Sequence, residues 1–298
     1  MSYDLFLRPR NGALGKKEFE AYFQDRRFYN TEAGHATYDN DYTGVYFSFK
    51  WADSRAYVEE EGGEFYPVAF NINYFRPSYF IVEAEIEVSA FVRAFDLLVS
   101  DPQWKGMGKG EYDAKVLQSG WKAGNQSAYD IILEEPEQRS GVRTLPSATV
   151  LQAWRWNFEV DARQQSVGDT KFVPRVLLLE VEGQMGSAMV WPDGIPLVAT
   201  PVDWLILAGE NLLRRRPDFA SAKRLLPWAE ALQILAPFVK QGPGPVVTFD
   251  YGEAPSEVFD FLLRLPPASL SFSRWPQHAV LDREMVERAL AALPKESH

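Results

Sequence analysis

The chain of 298 residues contains no cysteine and three histidines. Without cysteine it has no disulfide, no thiolate zinc site and no cysteine nucleophile, which is compatible with a reducing compartment. His35, His278 and His298 are far apart, and none has a second potential ligand at the spacing that places two ligands on one helix face. We therefore predict no metal site and no cofactor.

Long apolar runs are also missing. The sequence has no stretch of about 18 apolar residues, which a transmembrane helix requires. The N-terminus, MSYDLFLRPR, has an acidic residue and no extended apolar segment, unlike a signal peptide. We expect a cytoplasmic protein without a membrane anchor.

Positive charge is scarce, because 31 Lys and Arg stand against 41 Asp and Glu, a formal net charge of −10. Nucleic acids and anionic membranes carry the same sign, so neither is an expected partner. Residues 31–100 hold four basic and twelve acidic side chains, a local net of −8. This acidity is interpreted either as a solvated surface or as a docking face for a basic protein partner.

Apolar residues make up 46% of the chain, enough for a large core. In some segments the apolar residues recur at every second position, as in strands, and in others they recur about every 3.6 residues, as in helices. Strands are predicted at 3–7, 45–50, 65–73, near 82 and at 246–250; helices are predicted at 16–26, from about 85 to 99, and at 111–133, 150–158, 219–235, 256–265 and 282–293. Asp282 is a candidate N-cap for the last helix.

These elements predict an α+β fold with antiparallel sheets and packed helices, in two closely associated halves. The segment 134–147, EEPEQRSGVRTLPS, is rich in charge, Pro, Gly and Ser and marks the boundary. An acidic α+β half would span 1–140. The other half, 141–298, would contain helices and an antiparallel β-meander at 173–207, where turn residues separate apolar runs.

The stretch Ala36–Trp51, ATYDNDYTGVYFSFKW, contains fragments of two known motifs. Residues 39–44 match the start of an EF-hand loop, but the twelfth position, which needs a Glu, is Lys50. The same residues spell D-x-D-x-T, as in haloacid dehalogenase-type phosphatases, although that motif follows an apolar strand, and here the apolar strand comes after it. We predict instead a hairpin turn whose Asp and Asn side chains bond to the backbone.

Three other features carry weaker predictions. Gly106–Gly110, GMGKG, lacks the spacing of a phosphate-binding P-loop and is predicted to be a flexible loop. Gly120 and Gly124 lie inside a predicted helix, where glycine is unfavourable, so we expect close packing there. The tryptophans are predicted to be core or domain-contact residues. They include Trp104, Trp121, Trp154, Trp156, Trp191, Trp204, Trp228 and Trp275.

No catalytic residue is predicted, since the sequence has no G-x-S-x-G elbow, although a Ser/His/Asp site assembled from distant segments stays open. The acidic residues favour partner binding at the turn before the strand at 45–50 and in the acidic run that follows it. The predicted partner-binding residues are Asp39, Asp41, Tyr42, Glu59, Glu60 and Glu61.

The sequence contains the segments MSYDLFL at the start, TGVYFSF at 43–49, DPQ at 101–103, GWKAGN at 120–125 and WPDGIP at 191–196. Together these segments resemble an uncharacterised proteobacterial protein family. In general character the chain also resembles the immunity proteins of type VI or polymorphic secretion toxins. That resemblance implies a non-catalytic protein that occludes the active site of a cognate toxin. A hydrolase or transferase with a scattered site, and a structural scaffold protein, are the alternatives; the oligomeric state stays open.

Overall fold

The computed structural model describes residues 1–52, 64–218, 224–242, 244–251, 256–265 and 271–293. The chain forms two compact units, Met1–Ser147 with Leu281–His298, and Ala148–Val280. Both combine helices with largely antiparallel sheets, so the predicted α+β class is confirmed.

The first unit is built on a seven-stranded sheet with the order β2-β3-β4-β5-β1-β6-β7, in which all neighbours are antiparallel. Its elements in chain order are β1 (Ser2–Pro9), α1 (Lys16–Phe23), β2 (Tyr29–Glu32), β3 (His35–Asn40), β4 (Val45–Trp51), β5 (Val68–Asn73), α2 (Phe80–Phe95), β6 (Leu97–Asp101), β7 (Gly108–Gly110), α3 (Ala114–Ile132), α4 (Pro136–Gly141) and β8 (Arg143–Leu145).

One face of this sheet forms the core, as the strand alternation predicted. Phe49 of β4 lies opposite Phe70 of β5 and packs against Phe23 of α1 and Phe91 of α2, with ring centroids 5.1 to 5.2 Å apart. These four rings are buried. Burying a large aromatic side chain contributes roughly 2–3 kcal/mol, so this layer is a major source of stability for the unit.

The predicted strand near Val82 is wrong, because α2 begins at Phe80. Here the alternation of apolar residues with glutamates belongs to a helix. Val82 and Ile86, four residues apart, lie on its outer side, and Glu83 is buried. The helix ends at Phe95, and Asp96, with φ 46°, makes the left-handed turn into β6.

The second unit contains α5 (Ser147–Phe158), α6 (Val160–Val167), β9 (Val176–Val181), β10 (Gln184–Pro192), β11 (Leu197–Ala199), β12 (Trp204–Ala208), α7 (Glu210–Arg215), β13 (Arg224–Pro227), α8 (Trp228–Ile234), β14 (Val239–Gln241), β15 (Val247–Phe249), α9 (Ser256–Arg264) and β16 (Phe272–Trp275). Five strands form one sheet, β13-β12-β10-β9-β16, and three form another, β11-β15-β14.

The predicted meander is wrong beyond its first hairpin. Strands β9 and β10 are antiparallel, joined by Glu182 and Gly183 at positive φ, but β10 and β12 pair in parallel. The intervening β11 is buried on both faces and pairs with β15 in the other sheet. A parallel pair needs a connection that leaves the sheet, and β11 provides it. The predicted helix at 219–235 is also shorter, because Leu225 and Leu226 are buried in β13.

The chain then returns to the first unit through β17 (Val280–Asp282) and α10 (Arg283–Ala291). Leu281, Val286 and Ala289 form a buried cluster with Tyr129 and Leu133 at the end of α3. The sequence predicts this segment in the half 141–298; in the structure its apolar side contacts α3. No helix within the described ranges is both long and apolar enough to cross a membrane.

Candidate functional site

Three predicted partner-binding residues meet at the turn between β3 and β4. Asp39 lies near the end of β3, Asp41 follows in the turn, and Asp39 and Asp41 are both exposed. Tyr42 is half-buried beside them. Glu59, Glu60 and Glu61 lie outside the described residues. We call the segment Asp39–Gly44 the acidic turn.

Backbone hydrogen bonds and the side-chain amide of Asn40 fix the geometry of the acidic turn. The Asn40 carbonyl accepts hydrogen bonds from the backbone N–H of Gly44, at 2.7 Å, and of Thr43, at 3.2 Å. The Asn40 side chain accepts from the N–H of Tyr42, at 3.0 Å. Gly44 has φ 71°, a left-handed conformation that favours glycine. The predicted hairpin turn with an Asn side chain bonded to the backbone is therefore present.

A buried carboxylate holds the acidic turn against α2. Glu83 is 1% exposed, and its Oε1 accepts hydrogen bonds from Tyr38 Oη at 2.8 Å, Asn40 Nδ2 at 2.8 Å and Thr43 Oγ1 at 3.0 Å. Burial, reinforced by the Glu83 carboxylate, raises the pKa of Tyr38, so its hydroxyl stays a donor. The sequence signal for this contact is a glutamate on the apolar face of α2, three residues after Phe80, and the sequence analysis did not single it out.

Aromatic side chains and one cation surround Tyr42. Its ring lies 5.8 Å from that of Phe28, and the Arg27 guanidinium lies 5.1 Å from the Tyr42 ring centroid and 4.3 Å from that of Phe28. Cation–π contacts of this kind contribute about 0.5–1 kcal/mol at exposed sites. They orient the Tyr42 ring, and they place one positive charge beside the acidic turn.

The acidic stretch 31–100 is not a uniform negative face. Glu64 pairs with Arg8 at 2.9 Å, Glu87 with Arg26 at 2.7 Å and Asp96 with Arg10 at 3.3 Å. All three arginines precede residue 31, so the local net of −8 is partly neutralised within the first unit. The acidic turn retains exposed carboxylates.

The loop after β6 reaches the same edge of the sheet. The antiparallel register aligns four strand ends at this edge: the start of β4, the end of β5, the start of β1 and the end of β6. From β4 to β6 there are three strand spacings, or about 14 Å. This edge therefore carries both the acidic turn and the segment 102–107, which we call the Trp104 loop.

Trp104 is 92% exposed, so its prediction as a core or domain-contact residue is wrong. The loop around it is ordered by Asp101, whose carboxylate accepts from the N–H of Gln103 at 3.1 Å, the N–H of Met107 at 2.9 Å and the Tyr3 hydroxyl. Burial, with Asp101 as the next cause, raises the pKa of Tyr3. The loop thus presents an exposed indole ring, with Lys105 Nζ of the same loop 5.0 Å from the ring centroid.

A cavity of about 480 Å³ lies beside Trp104, between the loop and α3. Its lining includes Tyr74, Gln103, Gly120 and Gly124. A Cβ at Gly124 would lie 2.3 Å from Tyr74 Cζ, and one at Gly120 would lie 3.0 Å from the Lys105 carbonyl oxygen. The close packing expected at these two glycines is therefore present, and it lets the loop and Tyr74 approach the helix.

The other motifs acquire structural explanations. Gly106 lies against the Asp101 carboxylate, and Gly108–Gly110 forms β7. Asp282 is the N-cap of α10, but its carboxylate accepts from Ser78 N and Oγ, at 2.7 and 2.8 Å, next to the start of α2. No group of His, Asp and Glu side chains suited to a metal ion occurs among the described residues.

Comparison with family models, curated proteins and solved structures finds no match to this chain.

Proposed function

We propose that the chain is a protein-binding protein of the immunity type, which neutralises a cognate toxin by covering its active site with the sheet edge that carries the acidic turn and the Trp104 loop. The observation that carries this proposal is the exposed Trp104 on a loop ordered by Asp101, at the same edge as a turn held by Glu83.

Trp104 favours a macromolecular partner because tryptophan is enriched among the residues that contribute most to protein interfaces. A standard interface buries about 800 Å² on each partner, a patch roughly 30 Å across. The acidic turn and the Trp104 loop, about 14 Å apart, fit within one such patch. The partner would place an apolar side chain against the indole ring and in the neighbouring cavity.

The exposed carboxylates of the acidic turn, with Arg27 as the cation beside them, support a partner that contributes basic side chains at this point. Asp39 and Asp41 are exposed there, in a chain of net charge −10. Complementary potentials accelerate association and exclude partners of the same sign. The hydrogen bonds to Glu83 and to Asp101 order the turn and the loop before the partner arrives. Less conformational entropy is therefore lost on binding.

The alternative of a hydrolase or transferase would need a polar cleft beside Asp39 and Asp41. The cavity beside Trp104 is lined by neither of these carboxylates. The alternative of a scaffold protein predicts stable self-assembly, which sizing chromatography would detect.

The test uses the product of the neighbouring reading frame, produced as an inactive toxin variant, and measures binding by biolayer interferometry. Trp104→Ala should raise Kd about 30-fold or more, the effect of losing a 2 kcal/mol interface residue. The double variant Asp39→Lys, Asp41→Lys should slow association about tenfold at low salt and remove most of its salt dependence.

Two substitutions serve as matched controls. Ile131→Ala removes another exposed apolar side chain, and Glu137→Lys reverses an exposed carboxylate on α4. Both should leave Kd and the association rate unchanged. An unaltered affinity in Trp104→Ala, together with unaltered association in the double Asp variant, would remove this edge from the interface. Failure of the active toxin to be neutralised in co-expression would remove the immunity function.

A further inference from the structure

A second cavity, of about 470 Å³, lies within the second compact unit. One wall is a face of α5, where Leu151 and Arg155 are four residues apart and therefore adjacent on the helix. Arg163 of α6, Thr200 after β11 and Val246 before β15 contribute the other sides. The volume falls in the range of about 300–1,000 Å³ that is typical of small-molecule sites.

The lining of this cavity is cationic, in contrast to the net charge of the chain. Arg155 and Arg163 both line it, and none of the lining residues that the structure describes is Asp or Glu, although Arg163 forms an ion pair with Glu159. Arg155 is exposed and makes no ion pair with any residue that the structure describes. In a chain of net charge −10, an arginine without a carboxylate partner beside a cavity favours an anionic ligand.

Arg163 is held in place before any ligand binds. Its guanidinium carbon lies 4.7 Å from the Trp156 ring centroid, and one Nη donates to Glu159. Trp156 is in turn fixed by its indole N–H, which donates to the Pro174 carbonyl at 2.7 Å. The Arg163 side chain remains 29% exposed, so part of its planar group of donors is left for an anion.

The remaining walls define what else the ligand must carry. Leu151 and Val246 are apolar, and the Trp156 ring adds an aromatic surface. Thr200 Oγ1 accepts from Gln152 Nε2 at 2.7 Å, which leaves the threonine hydroxyl proton available for donation. Arginine donors at one side and apolar walls at the other match a molecule with an anionic head and an apolar body.

We propose that this cavity binds a small organic carboxylate, whose charged group is held by Arg155 and Arg163 and whose apolar body packs against Leu151, Trp156 and Val246. The inference concerns a different unit from the one that carries the proposed function, and it does not depend on it. A carboxylate fits the planar donors of arginine, which bind it through paired hydrogen bonds. The apolar walls distinguish it from inorganic anions.

The test is isothermal titration calorimetry of the full chain with 4-phenylbutyrate, with 4-phenylbutanamide as the neutral isostere and inorganic phosphate as the anion without an apolar body. We expect one phenylbutyrate per chain, with the amide and phosphate each at least about tenfold weaker. Arg155→Gln should weaken phenylbutyrate binding about tenfold.

Arg214→Gln is the matched control, because Arg214 is an exposed arginine of the same unit outside the cavity. It should leave the affinity unchanged. Leu151→Trp, which fills the cavity, should abolish binding while circular dichroism shows an intact fold. Absence of saturable binding up to about 10 mM, equal binding of the amide, equal binding of phosphate, or an affinity unaffected by Arg155→Gln would each overturn the proposal.

Discussion

Replacement of Glu83 tests how the acidic turn is held in place. The Glu83 carboxylate accepts three hydrogen bonds, from Tyr38, Asn40 and Thr43, in a site with 1% exposure. Glu83→Ala removes the acceptor and leaves three donors in a buried space. Glu83→Gln keeps an oxygen at the same position but removes the charge.

The expected magnitudes follow from the count of donors. Each unsatisfied buried donor costs about 1–3 kcal/mol, and water entering the space made by Glu83→Ala offsets part of that, so a loss of about 3–5 kcal/mol is expected. Hydrogen bonds to an ionised acceptor are roughly twice as strong as neutral ones. Glu83→Gln weakens them but no longer buries a charge, so its loss should be about 1–2 kcal/mol.

The free energy of unfolding is measured by urea titration, and the local effect by hydrogen exchange at the Gly44 amide, which donates to the Asn40 carbonyl. Glu85→Ala, on the same helix but only partly buried and with one close donor, the Ser89 hydroxyl, should cost about 1 kcal/mol. If Glu83→Ala costs no more than this control, or if Gly44 exchange is unchanged, the anchoring role of Glu83 is refuted.

Three further predictions concern the first unit. Gly124→Ala should lower the free energy of unfolding by about 1–3 kcal/mol, because the added Cβ would lie 2.3 Å from Tyr74 Cζ. Gly141 has open space around it, so Gly141→Ala should leave the free energy of unfolding unchanged in the same urea titration. Asp282→Ala should cost about 1–2 kcal/mol, since it leaves Ser78 N–H and Oγ without their acceptor, and Asp282→Asn should recover part of this loss. Burial raises the pKa of Tyr74 to about 12 from its ordinary value of 10.0. Between these two pH values the unfolded chain releases the Tyr74 proton while the folded chain keeps it. The contribution of Tyr74 to the free energy of unfolding is therefore complete below pH 10 and is lost as the pH rises to 12. Tyr74→Phe should therefore flatten the pH dependence of urea unfolding in that range, and an unchanged slope would contradict this assignment.

Much of the first unit was predictable from local periodicity. The alternation in β1, β4 and β5 and the stripe of α3 each follow from which side of one element is buried. The errors arose where one pattern fits two structures. Around Val82 the alternating glutamates fit a strand as well as they fit α2, and at residues 224–227 an apolar pair inside a helical stretch belongs to β13.

Three of the short segments singled out in the sequence have structural roles. MSYDLFL forms most of β1, and GWKAGN contains the two glycines that pack against the Trp104 loop and Tyr74. In WPDGIP, the Trp191 indole N–H donates to the Ile195 carbonyl at 2.9 Å, and Asp193 accepts from the Leu212 amide at the start of α7. These contacts explain the segments by packing and hydrogen bonding.

The sequence by itself determined the α+β class, the acidic turn and its glycine, and the absence of cysteine chemistry, because these depend on residue type or on neighbours within a few positions. Only the tertiary structure decided that Glu83 is buried beneath that turn, that Trp104 lies in the open at the same edge, and that Arg155 faces a cavity. Each of these depends on side chains that are distant in sequence, and local periodicity does not specify which distant groups meet.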